Sequence, residues 1–484
     1  MKSTAKVLLG TLSVLALTSA GFGAEAAAAS APAAAQAGAV PEWLVRPISL
    51  AECLDIAMTR NAAVLRSRKE LEAAYGVVEQ TRAIAIPKVR ASGEYGIVGE
   101  GFVEKLTFPI PGGGTMGIDP SDQHWSGNVR LVQSIYEGGR IRAALRSAKL
   151  TKEQALHQHQ AVLADTAMEV RTTYYDVLLA AQQIVVNEAS VALLQKELED
   201  TNRRFAAGTV PRFNVLRAEV ELANARPKLI KARNAHKTGK DNLANLLGYD
   251  LPKDIAEDIP LQLSGTLDAD PLDMTLSSAL AQALERRPEL EVLRRGAELR
   301  KEAVKSAKAG YLPSVQAYGG YGSRNSSFSS DLSRDVSGWQ AGVQVSWDIF
   351  DGFLTRGKVR QAEAQRDRAE VDTQDFSRRV ELEVRTSYSS LGEAWEVMES
   401  QKKVQEQAQE AVRLAQARSE AGTGTLLDVL SAQTALTEAR TTQILARRDY
   451  AVARARFERA IGSFVPRAEG TAAPTRAVST EKQP

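Results

Sequence analysis

The side chains that most often carry catalysis or bind metals are few in this sequence and poorly placed. His157 and His159 are two residues apart in a helical stretch, so their side chains diverge and make a poor metal pair. Cys53 is the single cysteine, which leaves no disulfide framework or zinc cluster. No Ser/His/Asp arrangement, carboxylate pair or glycine-rich phosphate loop is recognisable. We therefore expect no enzyme activity, no metal site and no cofactor.

Two similar turns have the most informative spacing. Ala-Gly-Thr occurs at Ala207–Thr209 and again at Ala421–Thr423, each time after a long helical stretch. Glycine suits such a place because it accepts the left-handed conformation that ends a helix. Thr425 and Asp428 are three residues apart, which is the spacing of a capping box at the start of the next helix. Local structure thus offers one explanation of Asp428.

The N-terminal residues predict export. Basic residues precede a short apolar core and then small residues that include Ala24-Glu25-Ala26, so residues 1–26 are predicted to be a signal peptide. The apolar core is too short to span a membrane, and no later run of about 20 consecutive apolar residues follows. Cys53 lies well beyond that core, so we expect an unlipidated protein. A net charge of +2, without basic clusters among aromatics, excludes nucleic acid as a partner.

The chain repeats itself. Ser49–Gly96 aligns without a gap with Thr275–Gly322, and Trp125–Gly248 aligns with Trp339–Gly462. Each copy reads short helix, strand, strand, long helix, helix, and the loop around Gly112–Gly114 makes the first copy longer. Self-similarity on this scale indicates a tandem duplication.

The duplication gives the domain boundaries. We predict a flexible N-terminal segment (27–47), a first repeat (48–248), a linker that could wrap the helices as an equatorial belt (249–274), a second repeat (275–464) and a flexible tail (465–484). The strands are predicted at about 88–98, 125–136, 314–323 and 339–350.

Helix length limits the possible architectures. Gly138–Ala207 and Gly352–Ala421 each read as one helix of about 70 residues, or about 105 Å. Two shorter helices per copy, Ser49–Ile86 and Pro211–Leu247 in the first, would together match that length if stacked end to end. Apolar residues at heptad spacing from Val170 onwards indicate helix packing. A plain coiled-coil rod predicts the same heptads.

The strands alternate apolar and polar residues. Trp339–Ile349 and Trp125–Ile135 show this pattern over about 10 residues each, with tryptophan and tyrosine near the ends, as in strands that cross a bilayer. A half-buried sheet on a soluble domain would show the same alternation. Four strands cannot close a barrel in lipid, where open edges are prohibitive, so the membrane interpretation requires several chains to share one barrel.

These features together resemble the TolC family of outer-membrane factors, over about residues 45–465. The resemblance rests on the doubled layout, the strand-to-helix junctions Tyr136/Gly138 and Phe350/Gly352, and the twin Ala-Gly-Thr turns. It implies a mainly α fold with a membrane β-barrel. Three chains would each give four strands to a 12-stranded barrel, with long α-helical hairpins forming a periplasmic tunnel. The implied partners are outer-membrane lipid, a periplasmic adaptor and an inner-membrane pump of the RND, ABC or major-facilitator type.

The resemblance also places a gate at the two turns, which would be the periplasmic tips. Residues at or beside these turns are Phe205, Gly208, Thr209, Asn214, Arg217, Gly422, Thr423 and Asp428. Three copies of Asp428 around a pore would attract cations. The matching residue of the first copy is Asn214, and Arg217 adds positive charge, so the sequence does not predict strong cation selectivity.

The sequence is compatible with three functions. The first is a passive outer-membrane exit channel of a tripartite efflux or type I secretion system. The second is a periplasmic adaptor, which usually has one helical hairpin and compact β-domains. The third is a structural coiled coil, which has no need for the strand alternation.

Overall fold

The computed structural model describes residues 41–99, 106–118, 122–251, 258–267, 271–325 and 332–463. The predicted signal peptide, residues 27–40 and the predicted tail 465–484 lie outside the described residues. The chain is mainly helical, and one order of elements occurs twice, which confirms the duplicated fold expected from the sequence.

The predicted order occurs in each half, with additional short elements between its members. In the first half they are α1 (Glu42–Val45), β1 (Pro47–Ile48), α2 (Leu50–Arg60), α3 (Ala62–Arg82), β2 (Lys88–Ile97), β3 (Leu106–Ile110), β4 (Gly114–Ile118), β5 (Gln123–Glu137), α4 (Arg140–Ala206) and α5 (Arg212–Leu246). In the second half they are β6 (Gln262–Leu263), α6 (Leu276–Arg286), α7 (Pro288–Lys308), β7 (Ser314–Asn325), β8 (Asp335–Ser346), α8 (Leu354–Glu420) and α9 (Leu426–Ala460).

The long helices α4 and α8 have 67 residues each. Each is therefore about 100 Å long. α3 packs beside the part of α4 near the strands, and α5 packs beside the remainder. The side-chain amide of Asn61 donates to the carbonyl oxygen of Leu246 at 2.9 Å, which joins the end of α2 to the end of α5. The shorter helices thus form a stacked line beside the long one.

The single short helix predicted over Ser49–Ile86 is wrong, because the chain forms two helices there. Asn61 has an extended backbone and ends α2. Its side chain then accepts a hydrogen bond from the backbone N–H of Ala63 at 2.8 Å and so caps α3. The matching helical stretch of the second repeat is also divided, at Arg287, and α7 begins at Pro288.

The four long strands form one antiparallel sheet in the order β2-β5-β7-β8. Ala91, Val129, Tyr321 and Trp339 lie directly opposite one another on the four strands, so the alternation seen in the sequence builds one apolar face. In the described chain both edge strands, β2 and β8, have one side without a strand partner.

Two details of the strands differ from the prediction. β8 ends at Ser346, so Trp347 and Ile349 lie beyond the strand that was expected to reach residue 350. In β5 the register shifts between Ser134 and Tyr136. This bulge pairs Tyr136 with Val315 on the apolar face, because an extra residue in a strand reverses the alternation after it.

The loop between β2 and β5 contains a small hairpin. β3 and β4 pair antiparallel around the turn that holds Gly112 and Gly113, both with positive φ. From the sequence alone, only a longer loop is predicted here. Positive φ at two successive glycines is what a tight turn between twisted strands requires.

The expectation that residues 27–47 are flexible is wrong for their last part. Leu44 is fully buried, and β1 pairs in parallel with β6 of the predicted equatorial segment. Ile259 and Leu267 of that segment pack in the same core as Val170 and Tyr174 of α4. Hydrophobic burial therefore fixes both segments against the first repeat.

The segment also explains a difference between the two repeats. Tyr174 is 1% exposed beneath this segment, whereas the matching Tyr388 is 37% exposed and contacts Phe457. The heptad positions are equivalent in sequence, but only the first is covered. The buried area of each position thus depends on a distant part of the chain.

Among the described residues, α4 contains an 18-residue window of mean hydropathy 1.6, apolar enough to cross a membrane by length and composition alone. Only 22% of that window is buried within the chain. α4 packs along α3, α5, α7 and α9. An apolar stripe along a helix of this length is also what helix-to-helix packing requires.

Candidate functional site

The two Ala-Gly-Thr turns have nearly the same backbone. Gly208 has φ +74° and Gly422 has φ +75°, in the left-handed region. The backbone N–H of Thr209 donates to the carbonyl of Arg204 at 2.9 Å, and that of Thr423 donates to the carbonyl of Arg418 at 3.0 Å. These bonds satisfy carbonyls that the helix end leaves free. We call these two helix ends, 205–217 and 419–431, the tip turns.

The second tip turn is capped by the pair that the sequence singled out. The carboxylate of Asp428 accepts hydrogen bonds from the backbone N–H of Thr425 at 2.9 Å and from its hydroxyl at 2.8 Å. The backbone N–H of Asp428 donates to the same hydroxyl oxygen at 3.2 Å. The backbone N–H of Thr425, followed by its hydroxyl, holds the pKa of Asp428 below its usual range. The carboxylate therefore remains charged at neutral pH.

The first tip turn has a different character. Pro211 occupies the N-cap position of α5 and supplies no side-chain cap. Asn214 stands where the second turn has Asp428, and Arg203 and Arg204 lie in the last turn of α4. Asn214 and Arg217 are half-buried. Because Asn214 is an amide, the first turn has no carboxylate at the place that matches Asp428. The two tip turns share a backbone but not a charge.

The tip turns lie close to a small apolar cluster that joins the two repeats. Leu194 of α4, Leu222 of α5 and Leu430 of α9 pack together and are buried. Leu430 is two residues from Asp428. Phe205, by contrast, is 43% exposed. The cluster brings the helical hairpin of the first repeat beside the last helix of the second.

The strand-to-helix junctions of the two repeats also match. Gly138 has φ +60° and Gly352 has φ +65°. A β-carbon on Gly138 would lie 2.6 Å from the carbonyl oxygen of Ala309, so no side chain fits there. Tyr136 is 42% exposed and Phe350 is 75% exposed.

Ion pairs between the repeats were not found from the sequence. Arg448 of α9 bonds Asp176 of α4, and Arg459 of α9 bonds Asp165 of α4. Asp165 and Asp176 have the same separation along α4 as Arg448 and Arg459 have along α9, as two antiparallel helices require. The equal spacing is visible in the sequence and could have indicated these pairs. Acidic and basic residues are so common on all of these helices, however, that the spacing alone does not identify the partners.

Arg287 adds a second set of charges near the same level. Its guanidinium is 3% exposed and donates to the carboxylate of Glu383 at 2.5 Å. Arg459 also contacts Glu383 at 3.4 Å and Glu289 at 3.0 Å. α4, α7, α8 and α9 are thus connected through one group of charged side chains.

The surroundings of three further side chains, Gln433, Cys53 and Ser67, bear on which chemistry the chain could perform. Gln433 is 4% exposed, and both polar atoms of its side chain lack a partner in the described chain, beside a cavity of about 50 Å³. Burial raises the pKa of the fully buried Cys53 to about 12, so it remains an unreactive thiol. The hydroxyl of Ser67 bonds Nδ1 of His159 at 2.8 Å. Within the described ranges, no group of three His, Cys, Asp or Glu side chains is placed to hold a metal ion.

Comparisons with known proteins agree with this architecture. The chain is 22% identical over 417 residues to outer membrane protein TolC of Escherichia coli, covering 84% of this chain and 80% of that protein. It is 24% identical over 403 residues to the cobalt-zinc-cadmium resistance protein CzcC of Cupriavidus metallidurans, covering 83% and 86%. The crystal structure of the Campylobacter jejuni CmeC outer membrane channel superposes with a TM-score of 0.72 at 17% identity, covering 85% of each chain.

Long helical hairpins attached to a four-stranded sheet with an apolar face define the class of outer-membrane channel subunits. The sequence model of the outer membrane efflux protein family matches residues 53–249 and 279–463, one segment in each repeat. The chain belongs to this family. It is therefore an outer-membrane protein whose long helices extend into the periplasm.

Proposed function

We propose that three copies of this chain form a passive exit channel across the outer membrane and the periplasm. The observation that carries the proposal is the four-stranded sheet, which has an apolar face and, among the described residues, no strand partner on either edge. Backbone groups on such edges cannot be left unpaired in lipid. Pairing β2 of one chain with β8 of the next satisfies both edges, and three chains give the 12 strands of a closed barrel.

The helices support the same assembly. The apolar window of α4 is mostly unburied within one chain, and Val185 there is 66% exposed. A neighbouring chain that packs along α4 would cover it, since a periplasmic helix has no lipid around it. The helical hairpins of three chains would then enclose a tunnel that continues the barrel.

The tip turns are proposed as the periplasmic gate. Phe205, Gly208, Thr209, Asn214 and Arg217 would form the first part of its rim, and Gly422, Thr423 and Asp428 the second. Each Asp428 would bring one negative charge, held in place by Thr425. Because Asn214 is neutral and Arg217 is positive, we expect weak rather than strong cation selectivity.

The partners proposed are a periplasmic adaptor and an inner-membrane transporter of the RND, ABC or major-facilitator type. The channel itself would catalyse no reaction and need no cofactor, with energy supplied by the transporter. The relative CzcC is described as a cobalt-zinc-cadmium resistance protein, and TolC as an outer membrane protein. Cargo would be selected mainly by the transporter, because a wide tunnel has no specific pocket.

Single-channel recording tests this function. The full-length protein, extracted from outer membranes and run unheated on a denaturing gel, should migrate as a trimer. In planar bilayers it should conduct ions in discrete steps. A soluble, non-conducting protein would contradict the proposal and favour an adaptor. A membrane-associated protein without conductance would favour a structural coiled coil.

A further inference from the structure

The two strand-to-helix junctions lie at one level of the molecule and form one surface. Glu137 at the end of β5 and Ser346 at the end of β8 both pair with Ser314 of β7. Both junctions also contact the turn Ala309–Tyr311. Gly138 lies against the backbone of Ala309, and Thr355 of α8 lies against Gly310, where a β-carbon would be 2.8 Å from its hydroxyl.

This surface carries a group of exposed cations. Both long helices begin with basic residues and have no acidic residue in the first turn. Within the described chain none of these cations has an ion pair. They are Arg140 and Arg142 of α4 and Arg356, Lys358 and Arg360 of α8. We call these five residues the basic collar.

The basic collar differs from the neighbouring cations in its position at helix N-termini and in its lack of acidic partners among the described residues. The positive end of the helix dipole lies at the N-terminus, so cations there are unfavourable for the helix. Other cations near the collar have acidic partners in the structure, including Arg146 and Lys149 of α4 and Lys305 and Lys308 at the end of α7. Among the described residues, the acids nearest the collar along the chain are Glu137, Asp348, Asp351 and Glu363, and Glu363 pairs with Lys308. The carboxylate of Asp351 accepts from the backbone N–H of Thr355 at 2.7 Å.

An exposed aromatic pair adjoins the basic collar. Phe350 and Phe353 are 75% and 64% exposed, and their rings meet edge to face with centroids 5.6 Å apart. They continue the apolar face of β8, where Val345 is 64% exposed, through Trp347. Aromatic rings followed by basic groups match the order of acyl chains and phosphates at a membrane surface.

Phe353 has a backbone conformation that its residue type disfavours. Its φ is +68°, the single positive φ of a residue other than glycine in the described ranges. The first repeat has Gly139 at the matching place, with φ +93°. A left-handed phenylalanine is costly, and an exposed ring in water offers no compensation. Burial of the ring in lipid would provide one.

We propose that the basic collar and the Phe350–Phe353 pair bind anionic phospholipids of the periplasmic leaflet of the outer membrane. The lipid phosphates contact the arginine and lysine groups at the starts of α4 and α8. The two rings lie at the boundary of the acyl chains. This site goes beyond conduction and depends only on the location of the sheet in the outer membrane.

Native mass spectrometry of the purified full-length channel in detergent tests the charged part. The probes are phosphatidylglycerol, which is anionic, and phosphatidylcholine, which is zwitterionic. Each charge removed should weaken phosphatidylglycerol binding by up to about fivefold. The triple variant R356Q/K358Q/R360Q should therefore bind phosphatidylglycerol at least about tenfold more weakly than the wild type, whereas its binding of phosphatidylcholine should not change. The control R385Q/K402Q/K403Q removes three exposed cations of the same helix that lie farther from the sheet and have no ion pair in the described part of the chain, and it should leave the binding of both lipids unchanged.

Equal binding of phosphatidylglycerol by the collar variant and the wild type would overturn the proposal. So would an equal loss in the control variant, because that would show a general effect of charge. Raising the salt concentration should weaken phosphatidylglycerol binding in the wild type more than in the collar variant, since exposed charges are screened.

A second variant tests the aromatic part and does not depend on lipid charge. Phe353→Gly removes the ring and also the backbone strain, so its thermal midpoint in detergent should equal or exceed that of the wild type. The gain in midpoint on transfer to phospholipid nanodiscs should be smaller for the variant. A lower midpoint in detergent together with loss of the trimer would show that the ring contacts a neighbouring chain, which would overturn the lipid assignment for Phe353.

Discussion

Arg448 of α9 donates from Nε to Oδ1 of Asp176 on α4 at a distance of 2.7 Å. The bond joins the last helix of the second repeat to the long helix of the first. Arg459 and Asp165 form the equivalent contact elsewhere along the same two helices. The repeats are therefore not two independent units placed side by side, because charged pairs and the Leu194–Leu222–Leu430 cluster fix the register between them.

We expect the Arg448–Asp176 pair to couple measurably. Arg448 is 22% and Asp176 is 44% exposed, so water screens part of the attraction. A double-mutant cycle with Asp176→Asn and Arg448→Gln should give a coupling free energy of about 1 kcal/mol or less. Thermal unfolding in detergent measures it. Asp449→Asn is the control, because it breaks only the pair within α9. Strictly additive effects at 176 and 448 would show that the contact contributes nothing.

We expect the charge of Asp428 to persist in mild acid. The hydrogen bonds from Thr425 lower the pKa of the folded state, so their stabilising effect is complete above the pKa of the unfolded state and is lost as the pH falls through the folded value. The cation preference of the open channel should therefore disappear only below the ordinary aspartate value of about 4. Thr425→Ala removes the hydroxyl donor and should move this transition to higher pH.

Reversal potentials in a salt gradient measure the cation preference of the open channel. Asp428→Asn should lower it at neutral pH and remove the acid transition. If the selectivity of the Asp428→Asn channel equals that of the wild type at every pH, Asp428 acts as a helix cap and not as a charge facing the pore.

Glycine substitutions should separate backbone strain from steric clash. Gly208→Ala and Gly422→Ala meet no neighbouring atom, so each should cost about 1–2 kcal/mol for the left-handed conformation alone. Gly138→Ala should cost more, because its β-carbon would also meet the carbonyl oxygen of Ala309.

Gly392→Ala within α8 is the matched control. This glycine has open space and no positive φ, so alanine should stabilise the helix by about 0.5–1 kcal/mol. Thermal midpoints of the four variants test the order. A destabilising Gly392→Ala, or a Gly138→Ala no worse than Gly208→Ala, would contradict this account.

Lys240 should matter more than its partner Asp258. The ammonium group of Lys240 is 6% exposed and donates to Asp258 at 2.7 Å and to the carbonyl oxygen of Ile259 at 2.9 Å. Lys240→Met should cost about 1–3 kcal/mol, because it leaves the buried carbonyl without its donor. Asp258 is 61% exposed, so Asp258→Asn should cost much less.

Limited proteolysis within residues 258–267 measures how firmly this segment is held in the Lys240→Met and Asp258→Asn variants. Cleavage should be faster in Lys240→Met than in Asp258→Asn or the wild type, because the segment would be held less firmly against α5. Equal rates in the two variants would show that the charged pair, and not the carbonyl bond, holds the segment.

Much of the fold was predictable because local spacing determines it. The absence of proline over about 70 residues, alternation over about 10 residues and two aligned copies are properties of neighbouring residues. Errors occurred where one side chain changes the local outcome. Asn61 divides a predicted helix, a bulge before Tyr136 reverses the alternation of β5, and β8 ends before Trp347.

The sequence by itself determined the duplication, the type and length of the elements, and the apolar face of each strand, since these depend on residues close together in the chain. The tertiary structure decided which elements meet. It buries Tyr174 but not Tyr388, pairs Arg448 with Asp176, and brings Gly138 and Thr355 against one turn. These contacts join residues far apart in the chain, so close packing and the pairing of buried charges select them, and neither can be inferred from local patterns.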